Sequence, residues 1–174
     1  CSRAQALTFL WRAKGMPQAS GTTFADVPAN AYYAQAVAWG VENGIVKGMD
    51  ETHFEPETVC TRAQALTFLW RANGMPQPKT TTNPFVDVDA SAYYYDAVLW
   101  AVEQGITTGL NATTFGPDVT VTRGQVATFL YRAASAAKPS TFNPFTDVKT
   151  TAYNYNAILW AYDNRITTGT SDTT

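Results

Sequence analysis

Charge is scarce in this chain. Asp, Glu, Lys and Arg make up only 15% of its residues, against the usual quarter. The net charge is −2 and there is no basic run, so the chain lacks the electrostatic footprint of a nucleic-acid binder. Long hydrophobic runs are missing too. None approaches the roughly 20 residues that span a bilayer, and no membrane insertion is expected. Cysteine is limited to Cys1 and Cys60, too few for a disulfide framework or a metal set, and both read as incidental. His53 is the single histidine, and no Ser or Cys motif accompanies it to form a triad. No cofactor is expected. The chain opens inside a motif without a leader sequence, which makes a fragment of a longer protein with further domains the expectation.

Aromatic residues, by contrast, are plentiful: five Trp, nine Tyr and nine Phe within 174 residues that are 45% hydrophobic. That length fits one domain or an array of small repeats with a substantial core. Most of the rings should pack in that core. A surplus of aromatics on a weakly charged protein also suits sugar binding, because the C–H faces of a pyranose stack on rings.

An internal repeat organises the chain. Phe24-x-Asp26-Val27 recurs as Phe85-x-Asp87-Val88 and Phe145-x-Asp147-Val148, and Trp39, Trp100 and Trp160 keep the same steps of 61 and 60 residues. Each unit reads as a turn, a helix, a Gly-rich loop and a second helix, which predicts an all-α fold. The first helices are expected over roughly 31–43, 92–104 and 152–164. In the first copy Tyr33, Ala36, Val37, Gly40 and Val41 share a stripe at helical spacing. Gly44 and Gly105 supply left-handed caps, and the third copy has Arg165 instead. The loops from Gly48 to Cys60 and from Gly109 to Val121 each hold Phe-x-Pro, which predicts a folded finger pinned by one aromatic. The second helices are expected over roughly 3–14, 62–73 and 123–134, with Leu7, Leu10 and Trp11 marking an apolar face that recurs as Leu66, Leu69 and Trp70.

Those second helices start with Ser2-Arg3-Ala4-Gln5, Thr61-Arg62-Ala63-Gln64 and Thr122-Arg123-Gly124-Gln125. A hydroxyl followed three residues later by glutamine is a capping box, which satisfies free backbone N–H groups. The arginine inside it has no such role. A helix N-terminus carries partial positive charge, so a cation there is unfavourable by a few tenths of a kcal/mol. Three repeats of the misfit point to an anion beside each arginine.

The register divides the chain into an Arg helix of an incomplete repeat (1–18), two complete repeats (19–78 and 79–139) and a truncated one (140–174). Six helices can close into a pseudo-threefold bundle if the first helix stands in for the missing partner. Well-separated termini would refute closure. Arg62 and Arg123 follow intact fingers in the sequence and are expected to form complete sites. Arg3 has no finger before it and ranks last.

The sequence resembles the S-layer homology repeats of bacterial cell-surface proteins. The resemblance rests on Phe24-Ala25-Asp26-Val27, Ala36-Val37-x-Trp39, Gly44-Ile45-x-x-Gly48, Phe54-x-Pro56, and Thr61-Arg62-Ala63-Gln64 followed by Leu69-x-Arg71-Ala72. It implies a spindle of three repeats around a central helical bundle with projecting prong loops. It also implies a non-catalytic module, outside the cell, that binds a secondary cell-wall polysaccharide, often one bearing a pyruvate ketal. The arginine of the family's Thr-Arg-Ala-Glu motif maps onto Arg62, Arg123 and, by position, Arg3. Glutamine in place of glutamate keeps the capping box but removes a neighbouring negative charge.

On this reading the arginines hold a sugar-borne carboxylate through paired hydrogen bonds, each charged bond contributing roughly 1.5–3 kcal/mol. Asp26, Asp87 and Asp147 accept hydroxyl protons or orient the arginine. Trp39, Trp100 and Trp160 flank the sugar, and Gly48 and Gly109 open the fingers that border it. For the aspartates a turn role competes, and for the tryptophans burial does. The alternative function is a protein–protein scaffold of a surface layer. The acidic pairs Asp50–Glu51 and Glu55–Glu57 lack the separation and the apolar pocket that a glycosidase needs.

Overall fold

The computed structural model describes residues 1–21, 24–171 and 173–174. It contains six helices: α1 (Arg3–Ala13), α2 (Ala34–Glu42), α3 (Arg62–Ala72), α4 (Tyr95–Glu103), α5 (Arg123–Ala133) and α6 (Tyr155–Asp163). Among the described residues there is no sheet, only the isolated bridges Ser2↔Val59 and Thr61↔Thr120. The expected all-α class holds.

The capping boxes form as the sequence requires. The Gln5, Gln64 and Gln125 N–H groups donate to the Ser2, Thr61 and Thr122 hydroxyls, and each glutamine Oε1 accepts from the capping residue's own N–H. α1, α3 and α5 therefore begin where expected and end one residue early. The other three helices start about three residues later than expected. In the first copy, bonds from Ala31 N–H to Pro28 O and from Ala34 N–H to Ala31 O wind the entry as successive tight turns before α2 begins. Val41 is a further correction: it lies on the solvent side of α2, while Ala34 and Ala38 join Ala36, Val37 and Gly40 in the core.

Gly44 and Gly105 take the left-handed conformation, with φ of +65° and +67°. Ile45 and Ile106 N–H groups reach back to Gly40 O and Ala101 O, both at 2.8 Å. Arg165 adopts the same conformation at φ +58°, and Ile166 N–H bonds Ala161 O at 2.8 Å. The third copy thus keeps the cap geometry without the glycine.

Each Arg helix pairs with the helix that follows it: α1 with α2, α3 with α4, α5 with α6. α1, α3 and α5 also touch one another. Leu7, Leu66, Val37, Val98 and Leu159 are sealed inside. A chain of backbone bonds passes round one end of the assembly, from Cys60 N–H to Cys1 O, from Val121 N–H to Cys60 O, and from the Cys1 amino group to Val121 O. Cys1 and Thr174 line one cavity.

Candidate functional site

The fingers do not sit where sequence order suggests. The finger after α2 folds back onto α1: Arg3 N–H donates to Thr58 O at 2.9 Å and Ala4 N–H to Pro56 O at 3.0 Å. The finger after α4 folds back onto α3 in the same way, with Arg62 N–H on Val119 O at 2.9 Å and Ala63 N–H on Pro117 O at 3.1 Å. Each finger thus covers the Arg helix preceding it. The finger cover expected at Arg123 is found at Arg3 instead, while Arg62 keeps its own. Arg3 and Arg62 are the enclosed copies, 4% and 3% exposed, and Arg123 is the open one.

Both fingers are pinned by one phenylalanine, as expected. Phe54 and Phe115 are fully buried, tilted against Phe24 and Phe85 at 5.9 and 5.8 Å between ring centres. Each enclosed guanidinium rests on its finger's ring, 4.7 Å from Phe54 for Arg3 and 4.9 Å from Phe115 for Arg62. Arg3 Nε donates to Phe54 O and its Nη2 to Lys47 O, both at 3.1 Å. Arg62 Nε donates to Phe115 O at 2.9 Å. Its Nη2 is buried and has no hydrogen-bond partner among the described residues. Burial lowers the pKa of both guanidinium groups from the ordinary value, because desolvation disfavours the charged form.

Asp26 and Asp87 of the Phe-x-Asp-Val turns hydrogen-bond the fingers and not the arginines. Asp26 accepts from the N–H groups of Phe54 and Glu55 at 2.9 and 2.7 Å. Asp87 does the same for Phe115 and Gly116 at 2.8 and 2.7 Å. Two good backbone donors are a sufficient reason for a carboxylate there. Asp147 is exposed and lines the cavity at the start of α5, together with Arg123, Gly124 and Asn154. Trp39 and Trp100 are buried in the core. Trp160 packs on Tyr131 at 5.7 Å. Their rings turn inward, so a sugar-flanking role has no geometric support.

Two clefts do contain the arginines. One, of about 330 Å³, brings together Arg62, Gly109, Gln125, Phe129, Arg132 and Tyr153. The other, of about 250 Å³, has Arg123, Gly169, Gln5, Phe9, Arg12 and Tyr32 in the corresponding places. The first joins the start of α3 to the side of α5, and the second the start of α5 to the side of α1. Arg3 lies 5.9 Å from the Phe68 ring, Arg62 5.7 Å from Phe129 and Arg123 5.3 Å from Phe9. Gly109 takes φ +83°, and a side chain there would run into Phe85. Gly48 likewise faces Phe24.

Sequence reasoning missed two members of these clefts. The arginines near the ends of the Arg helices are one: Arg12, Arg71 and Arg132 Nη1 donate to Ile166 O, Ile45 O and Ile106 O at 3.0–3.2 Å, spanning neighbouring pairs of helices. The exposed tyrosines Tyr32, Tyr93 and Tyr153 are the other. A signal existed, because the tyrosine persists in all three copies while its neighbour becomes Asn154. Among the described residues neither cleft is lined by Asp or Glu. Two guanidinium groups without a carboxylate, beside a helix N-terminus, give each cleft a positive character, and a tyrosine ring lines it.

Helix-loop-helix units that build the same cleft between successive copies define a repeat-built binding module. The S-layer homology domain matches residues 23–66, 84–127 and 144–174, and the chain belongs to that family. It is 32% identical over 78% of its length to the surface-layer 125 kDa protein of Lysinibacillus sphaericus, covering 11% of that protein. It is 29% identical over 88% of its length to the S-layer protein sap of Bacillus anthracis, covering 19% of it. An endoglucanase of Bacillus sp. (strain KSM-635) is 36% identical over 53% of this chain and 10% of that enzyme. The chain thus spans only about a tenth to a fifth of the relatives it matches. Family membership makes it a non-catalytic, wall-anchoring module of bacterial cell-surface proteins.

Proposed function

We propose that the module binds a secondary cell-wall polysaccharide, one bearing a pyruvate ketal, in the clefts between successive Arg helices, and so retains its parent protein on the envelope. The observation that carries this reading is the buried Arg62 Nη2, a charged donor without a partner at a cleft that Arg132 makes doubly cationic. A buried unpaired donor costs about 1–3 kcal/mol, and a carboxylate would satisfy it. Tyr153 offers a face for the sugar ring, and Gln125 a side-chain amide.

The clefts are not equivalent on this reading. Arg62 has a free donor and a seated finger, so its cleft ranks first. Arg123 Nη2 donates to the Thr167 hydroxyl at 2.8 Å, which ranks its cleft second. Arg3 has both Nε and Nη2 occupied by carbonyls, which places it last.

Pull-down on purified wall sacculi, with and without removal of the secondary polymer, tests the proposal. Binding should vanish with the polymer and with Arg62→Glu. Binding that survives polymer removal would instead point to a protein or peptidoglycan partner and end this reading.

A further inference from the structure

Among the described residues the lining of the Arg62 cleft matches that of the Arg123 cleft member for member, with one addition, Leu110. The equivalent position holds Met49 in the first copy and Thr170 in the third. Leu110 is the one aliphatic side chain in a lining otherwise made of guanidinium, hydroxyl, amide and aromatic groups and a glycine. It is 48% exposed, so about half of its apolar surface is still open to burial by a ligand. Its placement is specific to this copy. Leu110 N–H bonds Thr114 O at 2.8 Å, in the turn that leads into the finger. Gly116 takes φ +73°, and a Cβ there would come within 2.5 Å of Leu110 Cδ1 and 3.1 Å of Val119 Cγ2. The missing side chain gives Leu110 room to lie on the finger beside the cleft. The first finger has Glu55 at that position.

We infer that Leu110 is a specificity-determining residue of the Arg62 cleft, selecting a carboxylate whose neighbouring carbon also bears a methyl group. The inference rests on the proposed reading of this cleft as the glycan site. A pyruvate ketal carries its carboxylate and its methyl on one carbon. With the carboxylate on Arg62, the methyl is held one carbon away, inside a cleft of about 330 Å³ whose lining includes Leu110. The methyl and the leucine leave water together. A uronic acid or a glyoxylate acetal presents the same charge without the methyl and makes only the charged half of the contact. One buried methyl changes affinity about fourfold. The Arg123 cleft, which has no aliphatic residue in its lining among the described residues, does not distinguish these acids.

The test titrates the protein with two ligands and follows the Arg62 Nε–H signal by NMR, which reports this cleft alone. One ligand is the pyruvate 4,6-ketal of a methyl N-acetylhexosaminide. The other is the matching glyoxylate acetal, with hydrogen in place of the methyl. The unmodified protein should prefer the ketal about fourfold. Leu110→Thr, the side chain that the third copy carries, should bring the two ligands to within about twofold of each other and leave Tm unchanged, as expected for an exposed position. Equal affinity of the unmodified protein for the two ligands, or an undiminished preference in Leu110→Thr, would overturn the inference and leave the glycan reading standing. Binding of neither ligand would end both.

Discussion

Arg62→Met should separate stability from binding. The guanidinium is 3% exposed and is held by one charged hydrogen bond to Phe115 O and by the faces of Phe115 and Phe129. Losing the bond costs roughly 1.5–3 kcal/mol, and losing a desolvated cation–π contact costs about 1–2 kcal/mol. Against this, methionine removes the unpaired Nη2, a relief of about 1–3 kcal/mol, and removes a buried charge that has no carboxylate partner. The terms nearly cancel, leaving a net change within about 2 kcal/mol. At this chain length 1 kcal/mol moves Tm by roughly 2–4 °C, so calorimetry should find a shift below about 8 °C. Sacculus binding at the same cleft should weaken roughly 10- to 150-fold, the equivalent of a lost 1.5–3 kcal/mol bond. A fall in Tm beyond about 15 °C would refute the cancellation and make Arg62 a structural pin. Unchanged affinity for sacculi would refute its role at the ligand.

Arg165→Gly should stabilise the protein by about 1 kcal/mol, because a left-handed non-glycine residue is strained and Arg165 sits exposed at φ +58°; thermal unfolding checks this, and a lower Tm would contradict it. Phe54→Ala should cost about 3–5 kcal/mol, since the ring is fully buried between Phe24 and Arg3. Exchange at Ala4 and Arg3 should then rise as the finger detaches, and retained protection would show that backbone bonds suffice. Asp50 should titrate at about 2, well below 3.8, because the Thr52 and His53 N–H groups bond its carboxylate. With the folded pKa depressed, its contribution to finger stability is complete above about pH 4 and lost as pH falls through about 2; an NMR midpoint near 4 would mean the turn does not form.

Local chemistry was legible in the sequence and long-range placement was not. Capping boxes need residues three apart, and a left-handed cap needs one glycine, so Ser2–Gln5 and Gly44 announced themselves. The buried Phe54 could be picked out as the single aromatic in its loop. Which helix a finger covers depends instead on bonds such as Ala63 N–H to Pro117 O, formed across 54 residues of chain, and no local spacing encodes that choice. The two roles weighed for Asp26 could not be separated for a related reason: a carboxylate before a helix looks the same whether its partner is a sugar hydroxyl or the Phe54 N–H 28 residues away. The tryptophans kept the repeat period because the core repeats, and periodicity alone does not separate a buried ring from a binding one.

The arginine at the helix start is therefore two things at once. Its Nε and its flat face hold the finger, as the carbonyls and rings of Phe54 and Phe115 make plain, and this alone accounts for its burial. It does not account for the sign of the surroundings. A guanidinium at a positive helix end, with a second arginine across the cleft and no carboxylate lining it among the described residues, raises the free energy of the unliganded fold. A purely structural pin could have been apolar, as Arg62→Met is expected to demonstrate. On the proposed reading the charged residue adds a donor already fixed in place, Nη2 of Arg62, so an incoming carboxylate would meet an oriented partner and little side-chain entropy would remain to be lost. The same linkage requires that a bound anion stabilise the fold, and the cleft of Arg62 should respond more strongly than that of Arg3, whose donors are already occupied.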